Sequence, residues 1–383
     1  MVRRLLVAHI VVAIVIAVSW PRSASSHETV NTTVLFDREI VRVLNSHCVM
    51  CHVEGGPSFP LATYEEVWLQ RRKISAAVLA RHMPPWPAVP GYGRFANENV
   101  VTLREAQFIV SWMEGLGPRN SGKVFSNISD PNAAKTSAVR ARADFGTWPL
   151  GTPDLVRELD PIAVEPNRPD DVTRTVIDLG LTSARDIRAI EFLPGDRRVV
   201  RAAFFSLQET GQWIGSWTPW HPVTTLPEHV AFHAPAGSHI VAELHYQHTG
   251  DRVVDRGRLG LLFDMRPGSN PPNPASDLIL DMKRDASDTK GRLDAETTMT
   301  ADTRVLALRA DTTGVISLEV KARRPDGATD VLLFAKGFSP KWPTPFVLAE
   351  PVTLRRGTTL SATAYIERTE GPATRMVVVS TSR

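Results

Sequence analysis

The chain has 383 residues, 43% of them hydrophobic and 22% charged, with 44 Lys plus Arg against 41 Asp plus Glu for a formal net charge of +3. Spread over this length, the charge builds no basic stripe; the short runs Arg71-Arg72-Lys73, Arg197-Arg198 and Arg323-Arg324 read as solvated faces, so nucleic acid is not an expected partner. The length suffices for two or three domains with full-sized cores, and two cysteines are too few for a disulfide scaffold.

Residues 1–26 read as a signal peptide, in which Arg3 and Arg4 precede an apolar run from Leu5 to Trp20 and then the small residues Ser23-Ala24-Ser25-Ser26. The run is short for a membrane span. The mature chain is therefore expected in the periplasm or otherwise exported, with no stable membrane span beyond this peptide. Cleavage before His27 would expose a histidine able to chelate metal, but no partner histidine lies nearby.

From Val34 to Ser46 the apolar residues Val34, Ile40, Val41 and Leu44 recur at helical spacing, with Asp37 and Glu39 placed early as the helix dipole prefers. That helix delivers Cys48-Val-Met-Cys51-His52. Two thiols separated by two residues can form two thioethers to a haem while the adjacent imidazole binds its iron, so the motif implies one covalent haem c. A zinc site would need two more ligands at zinc spacing, and there is no third cysteine. A thioredoxin-like redox pair would leave His52 without a role. His47 reads as a solvated or packing residue.

A second helix is expected over Tyr64 to His82, stopped by Pro84-Pro85, and a third from Thr102 to Leu116. The third opens with the capping box Thr102-Leu-Arg-Glu105, closes at Gly117-Pro118, and carries a buried stripe of Phe108, Ile109, Trp112 and Met113. Small cytochromes take their sixth iron ligand from the loop before the last helix, and Met83 occupies that place, with His82, Met50 and Met113 as alternatives. A methionine there raises the reduction potential and leaves no open site for oxygen, which points to electron transfer with a redox partner protein.

The motifs His47-Cys-Val-Met-Cys-His52, Ser58-Phe-Pro-Leu61, Tyr64-Glu-Glu66, Arg81-His-Met-Pro-Pro-Trp-Pro87, Pro90-Gly-Tyr-Gly93 and Trp112 together resemble the cytochrome c modules fused to bacterial copper type II, ascorbate-dependent monooxygenase-like proteins. The resemblance implies a module over residues 28–120 with one covalent haem held by Cys48, Cys51, His52 and Met83.

Residues 121–145 are polar and rich in Ala, Ser and Arg, and read as a linker. After Phe145 the pattern becomes short alternating runs between Gly, Pro, Asp and Asn: Val172 to Leu179, Ile187 to Phe192, Arg198 to Ser206, Ser238 to Tyr246, Arg258 to Phe263, Val305 to Leu308, Val315 to Lys321, Val331 to Ala335 and Thr359 to Ile366. Such spacing argues two β-sandwiches, 146–266 and 277–383, divided where Pro267, Pro271, Pro272 and Pro274 cluster. The expected fold class is thus multidomain, an N-terminal all-α cytochrome c domain followed by an all-β region.

Glu191-Phe-Leu-Pro-Gly195, Arg197-Arg-Val-Val200, Pro235-Ala-Gly-Ser238, Leu244-His-Tyr-Gln-His-Thr-Gly250, Leu259-Gly-Leu-Leu-Phe263, Pro325-Asp-Gly327 and Arg356-Gly-Thr-Thr-Leu360 extend the resemblance to the paired jelly-roll-like domains of peptidylglycine and dopamine hydroxylating monooxygenases. That family binds one copper with a histidine pair and a later histidine, and another with His-x-His and a methionine. Here Arg201-Ala202 stands where the pair should fall, His245-Tyr-Gln247 replaces His-Tyr-His, with His248 shifted to the opposite strand face, and the His-x-His is absent near Leu308-Arg-Ala-Asp311. From Thr249 to Arg383 there is no histidine or cysteine, so copper is not expected, and Met376 reads as core.

Six histidines fall between residues 221 and 248: His221, His229, His233, His239, His245 and His248. On one strand His239, Glu243 and His245 share a face, which makes a single repurposed metal site conceivable. Trp213, Trp217 and Trp220 read as packing or interface aromatics. The function expected is that of an exported electron-transfer protein whose β region serves docking or assembly. The alternatives are a copper-dependent monooxygenase fed by the haem, and a binding module with the haem as sensor.

Overall fold

The structure is a computed structural model that describes residues 32–56, 58–120, 146–166, 171–264, 271–284, 291–311, 315–338, 342, 345–366 and 375–382. The expected signal peptide and linker lie outside the described residues, as does the proline cluster up to residue 270. Among the described residues no helix is long and apolar enough to cross a membrane.

Helix α1 opens as a π-helical turn, Phe36–Ile40, and continues as an α-helix, Val41–His47. Ile40, Val41 and Leu44 of the predicted spacing are buried, together with Phe36 and Val43. Helix α2, Tyr64–Leu79, begins at a capping box in which Thr63 accepts from the Glu66 N–H and Glu66 accepts from the Thr63 N–H. It stops short of His82 because Arg81 takes a left-handed conformation, φ 55°, ahead of Pro84. Helix α3, Leu103–Glu114, has the expected box with Thr102 as its cap. Ile109 and Trp112 are its buried residues, while Phe108 and Met113 are only half-buried.

The helices meet in an aromatic cluster, with Phe36 5.1 Å from Tyr64, and Trp112 5.8 Å from Phe36 and 6.0 Å from Trp68 between ring centroids. The chain turns beneath it at Gly117, whose φ of +55° and lack of a Cβ, which would stand 2.3 Å from Trp68, leave no room for another residue.

The first sandwich packs the four-stranded sheet Asp171–Asp178, His239–Tyr246, Val200–Leu207, Trp213–Trp217 against a second sheet built on Leu155–Glu158, Arg258–Phe263, Arg185–Leu193 and Val230–Ala234. Phe192 from one sheet meets Phe205 and Trp217 from the other at 5.5 and 5.9 Å. The second sandwich packs Ser276–Asp281, Arg375–Ser382, Thr303–Asp311, Phe346–Leu354 against Arg292–Thr298, Thr359–Ile366, Val315–Arg323, Thr329–Lys336. Alternating burial along Val315–Arg323 and Thr359–Ile366 follows the two-residue period of a half-buried strand. Asn273–Pro274 still pairs with Val230 and Ala231 of the first sandwich, and the next strand, from Ser276, belongs to the second. Trp213 and Trp217 are core residues, and Met376 is fully buried in the second core.

The N-terminal region is not a self-contained helical body. Between α2 and α3, Trp86, Ala88 and Phe95 enter the core of the second sandwich, and Trp86 and Phe95 lie 5.5 Å from Phe346. Backbone bonds seal the contact: Val89 N–H to Phe334 (2.8 Å), Lys336 N–H to Pro87 (2.9 Å), Ala96 N–H to Val347 (2.8 Å) and Ala349 N–H to Arg94 (2.9 Å). The side chain of Asn97 donates to the Pro345 carbonyl at 2.6 Å and accepts from Val347 N–H at 3.0 Å. Gly93 permits this approach, since a Cβ there would stand 2.4 Å from the Leu332 carbonyl oxygen.

Candidate functional site

The last turn of α1 delivers the cysteine motif in a compact turn, with Cys51 N–H and His52 N–H both donating to the Cys48 carbonyl at 3.1 and 3.0 Å. Cys48 and Cys51 are unpaired thiols rather than a disulfide. Burial pushes both up to about 12, for Cys48 with the neighbouring Cys51 adding to it. Their surroundings thus favour the thiol over the thiolate.

His52 sits with its ring 5.1 Å from that of Phe59, and its Nδ1 donates to the Phe59 carbonyl at 2.9 Å. That bond fixes the tautomer and leaves Nε2 as a lone-pair donor, the second-shell arrangement that prepares an imidazole for a metal. Burial holds His52 below its ordinary value, which keeps it neutral. Two adjacent reduced thiols and a neutral, oriented imidazole match the donor set of a covalently attached haem.

Met83 stands beyond the end of α2 and is 42% exposed; its N–H donates to the Ala77 carbonyl at 3.3 Å. His82 is exposed beside it, while Met50 is buried and Met113 half-buried. His47 is structural: Nδ1 meets Asn99 Oδ1 at 2.8 Å and Nε2 meets Glu105 Oε1 at 3.3 Å, joining α1 to the start of α3.

The residues conceived as a second metal site do not converge. His239 and His245 lie six positions apart on one strand, about 20 Å at the rise of an extended chain. His239 pairs instead with Glu209 at 3.2 Å, while His245 Nε2 meets Glu243 at 2.8 Å and Glu243 is also bound by Arg174 at 2.7 Å. The three side chains share a face but not a site, because residues six apart on a strand cannot reach one ion. Among the described residues no three metal-ligating side chains converge. His248 lies past the strand and bonds the Glu165 carbonyl at 2.8 Å, and His233 pairs with Asp186 at 2.9 Å. Glu243 and Arg174 line a cleft of about 390 Å³ whose lining also includes Arg309 and Pro345.

The Arg197-Arg198 contact escaped sequence reasoning. Arg197-Arg198 is not a solvated face: Arg197 donates to the Met50 carbonyl inside the motif at 3.3 Å, and Arg198 binds Asp196. Trp220 is an interface residue that donates to the Asn97 carbonyl at 3.1 Å and packs on Trp342 at 5.5 Å.

No family model and no curated protein matches the chain. Among solved structures it is similar to a xanthan lyase from Paenibacillus (11% identity, TM-score 0.18), covering 59% of this chain and 25% of that one. An allantoicase (9% identity, TM-score 0.20) is covered over 84% of its length by 59% of this chain. A glycoside hydrolase family 29 member from an unknown rumen bacterium (13% identity, TM-score 0.16) is matched over 36% of its length by 51% of this chain. The chain thus spans about a quarter of the xanthan lyase, and likenesses this weak carry no argument.

Proposed function

We propose that the chain is an exported c-type cytochrome that carries one covalent haem for electron transfer with a redox partner protein, its helical module seated on a jelly-roll-like β region used for docking or assembly. The observation that carries the reading is the bond from His52 Nδ1 to the Phe59 carbonyl, made by a histidine that directly follows two unpaired cysteines. When bound, the haem supplies one-electron ferric–ferrous chemistry. Cys48 and Cys51 would anchor it, His52 would offer Nε2 to the iron, and Met83 would supply the thioether as its second ligand. The copper-dependent monooxygenase finds no support in the donor set, since His245 Nε2 is tied to Glu243, which Arg174 holds in turn.

The test is haem and metal stoichiometry on full-length protein exported by cells that mature cytochromes. One haem per chain should survive denaturing extraction and be lost in Cys48→Ala and Cys51→Ala. The visible spectrum should be low-spin and should change in Met83→Ala. An iron-free wild type overturns the proposal, and about two coppers bound per chain after copper loading would replace it with the monooxygenase.

A further inference from the structure

The loop that joins Arg185–Leu193 to Val200–Leu207 in the first sandwich reaches the cysteine motif, and it is rigid at its base. The Asp196 N–H donates to Asp255 Oδ1 at 2.8 Å, and Asp255 Oδ2 accepts from the Tyr246 hydroxyl at 2.8 Å. Asp255 is 1% exposed, so the loop is pinned to a buried carboxylate rather than to solvent. The Asp196 carboxylate then holds Arg198, accepting from its Nε at 3.0 and 3.1 Å and from its backbone N–H at 2.9 Å. Gln247 adds a bond to the Arg198 carbonyl at 2.9 Å.

With Arg198 committed to Asp196, Arg197 is the guanidinium that faces the motif. Its Nη2 donates to the carbonyl of Met50, which lies between the two cysteines in sequence. Arg198 packs just past the motif, where a Cβ built on Gly55 would stand 3.2 Å from its Nη1. Thioethers to Cys48 and Cys51 would bring one porphyrin edge to these sulfurs by covalent necessity, and therefore to the neighbourhood of Arg197.

We propose that Arg197 is the positioning residue through which the β region sets the reduction potential of a haem attached at Cys48 and Cys51, an inference that rests on the cytochrome reading above. The ferric haem carries one more positive charge than the ferrous one. A cation fixed beside it disfavours the ferric state and raises the potential, and a half-buried cation is screened less than one on the surface. The arginine reaches its place only when the helical module is seated on the first sandwich, so the potential reports the assembled state of the protein.

The experiment is a spectroelectrochemical titration of full-length, haem-loaded wild type, Arg197→Lys, Arg197→Gln, Arg197→Met and Arg197→Glu. The potential should fall in Met and Gln, fall further in Glu, and stay near wild type in Lys, while the low-spin spectrum is unchanged. Arg197→Gln keeps a donor for the Met50 carbonyl and carries the test where the Met and Glu variants do not accumulate. Equal potentials in the haem-loaded proteins, or a fall in Lys as large as that in Gln, overturn the role of the charge. A wild type without haem instead sinks the cytochrome reading, and this inference with it.

Discussion

Glu243 shows how a residue can be placed correctly by pattern and still be misread. It lies on the expected face of its strand, but its carboxylate is occupied by His245 Nε2 at 2.8 Å and Arg174 at 2.7 Å. The His245 hydrogen bond, opposed by burial and helped by Arg174, holds Glu243 down at about 2. A carboxylate depressed in the folded state stabilises the fold above its unfolded value of 4.5, and that contribution is lost as pH falls toward about 2. In acid-unfolding curves Glu243→Gln should therefore be less stable than wild type at pH 7, and the difference should shrink between those two values; a constant offset across the range would refute the pairing. The signal for such a pair was present in the sequence only as two polar residues at alternate positions. Arg174, which adds to the hold of His245, lies 69 residues away.

Helices were legible because their signals are local. The capping box of α3 is written in four consecutive residues, and the structure forms both of its bonds, Glu105 N–H to Thr102 Oγ1 at 3.3 Å and Thr102 N–H to Glu105 Oε2 at 2.8 Å. Glu105 is also tied to His47, so the cap joins α3 to the helix bearing the cysteines. Thr102→Ala should destabilise the protein by about 1 kcal/mol in thermal or denaturant unfolding, and an unchanged midpoint would show the cap to be idle. Strands were legible where one face meets solvent, as in Thr359–Ile366, whose bounds coincide with the predicted ones. Trp213–Trp217 escaped prediction because every residue in it is buried, which erases the alternation that marks a strand. Arg292–Thr298 escaped for the opposite reason, as a largely polar strand.

At the scale of the whole molecule, the loop between α2 and α3 joins regions far apart in the chain. Pro84 and Pro85 read from the sequence as a helix stop, and nothing local marks Trp86 and Phe95 as members of another unit's core, because the surface they fill is built about 250 residues later. Trp86 is 7% exposed and packs on Phe346, so Trp86→Ala should cost about 3 kcal/mol and lower the unfolding midpoint of the second sandwich along with that of the helices. Separate transitions, with only the helical one shifted, would refute the shared core. The bond from Asn97 to Pro345 spans 248 residues, and at ribosomal speed the acceptor is made roughly 10 to 50 seconds after the donor. During that interval the aromatic rings wait uncovered, so the leading half of the nascent chain completes its packing only once the trailing strands are made.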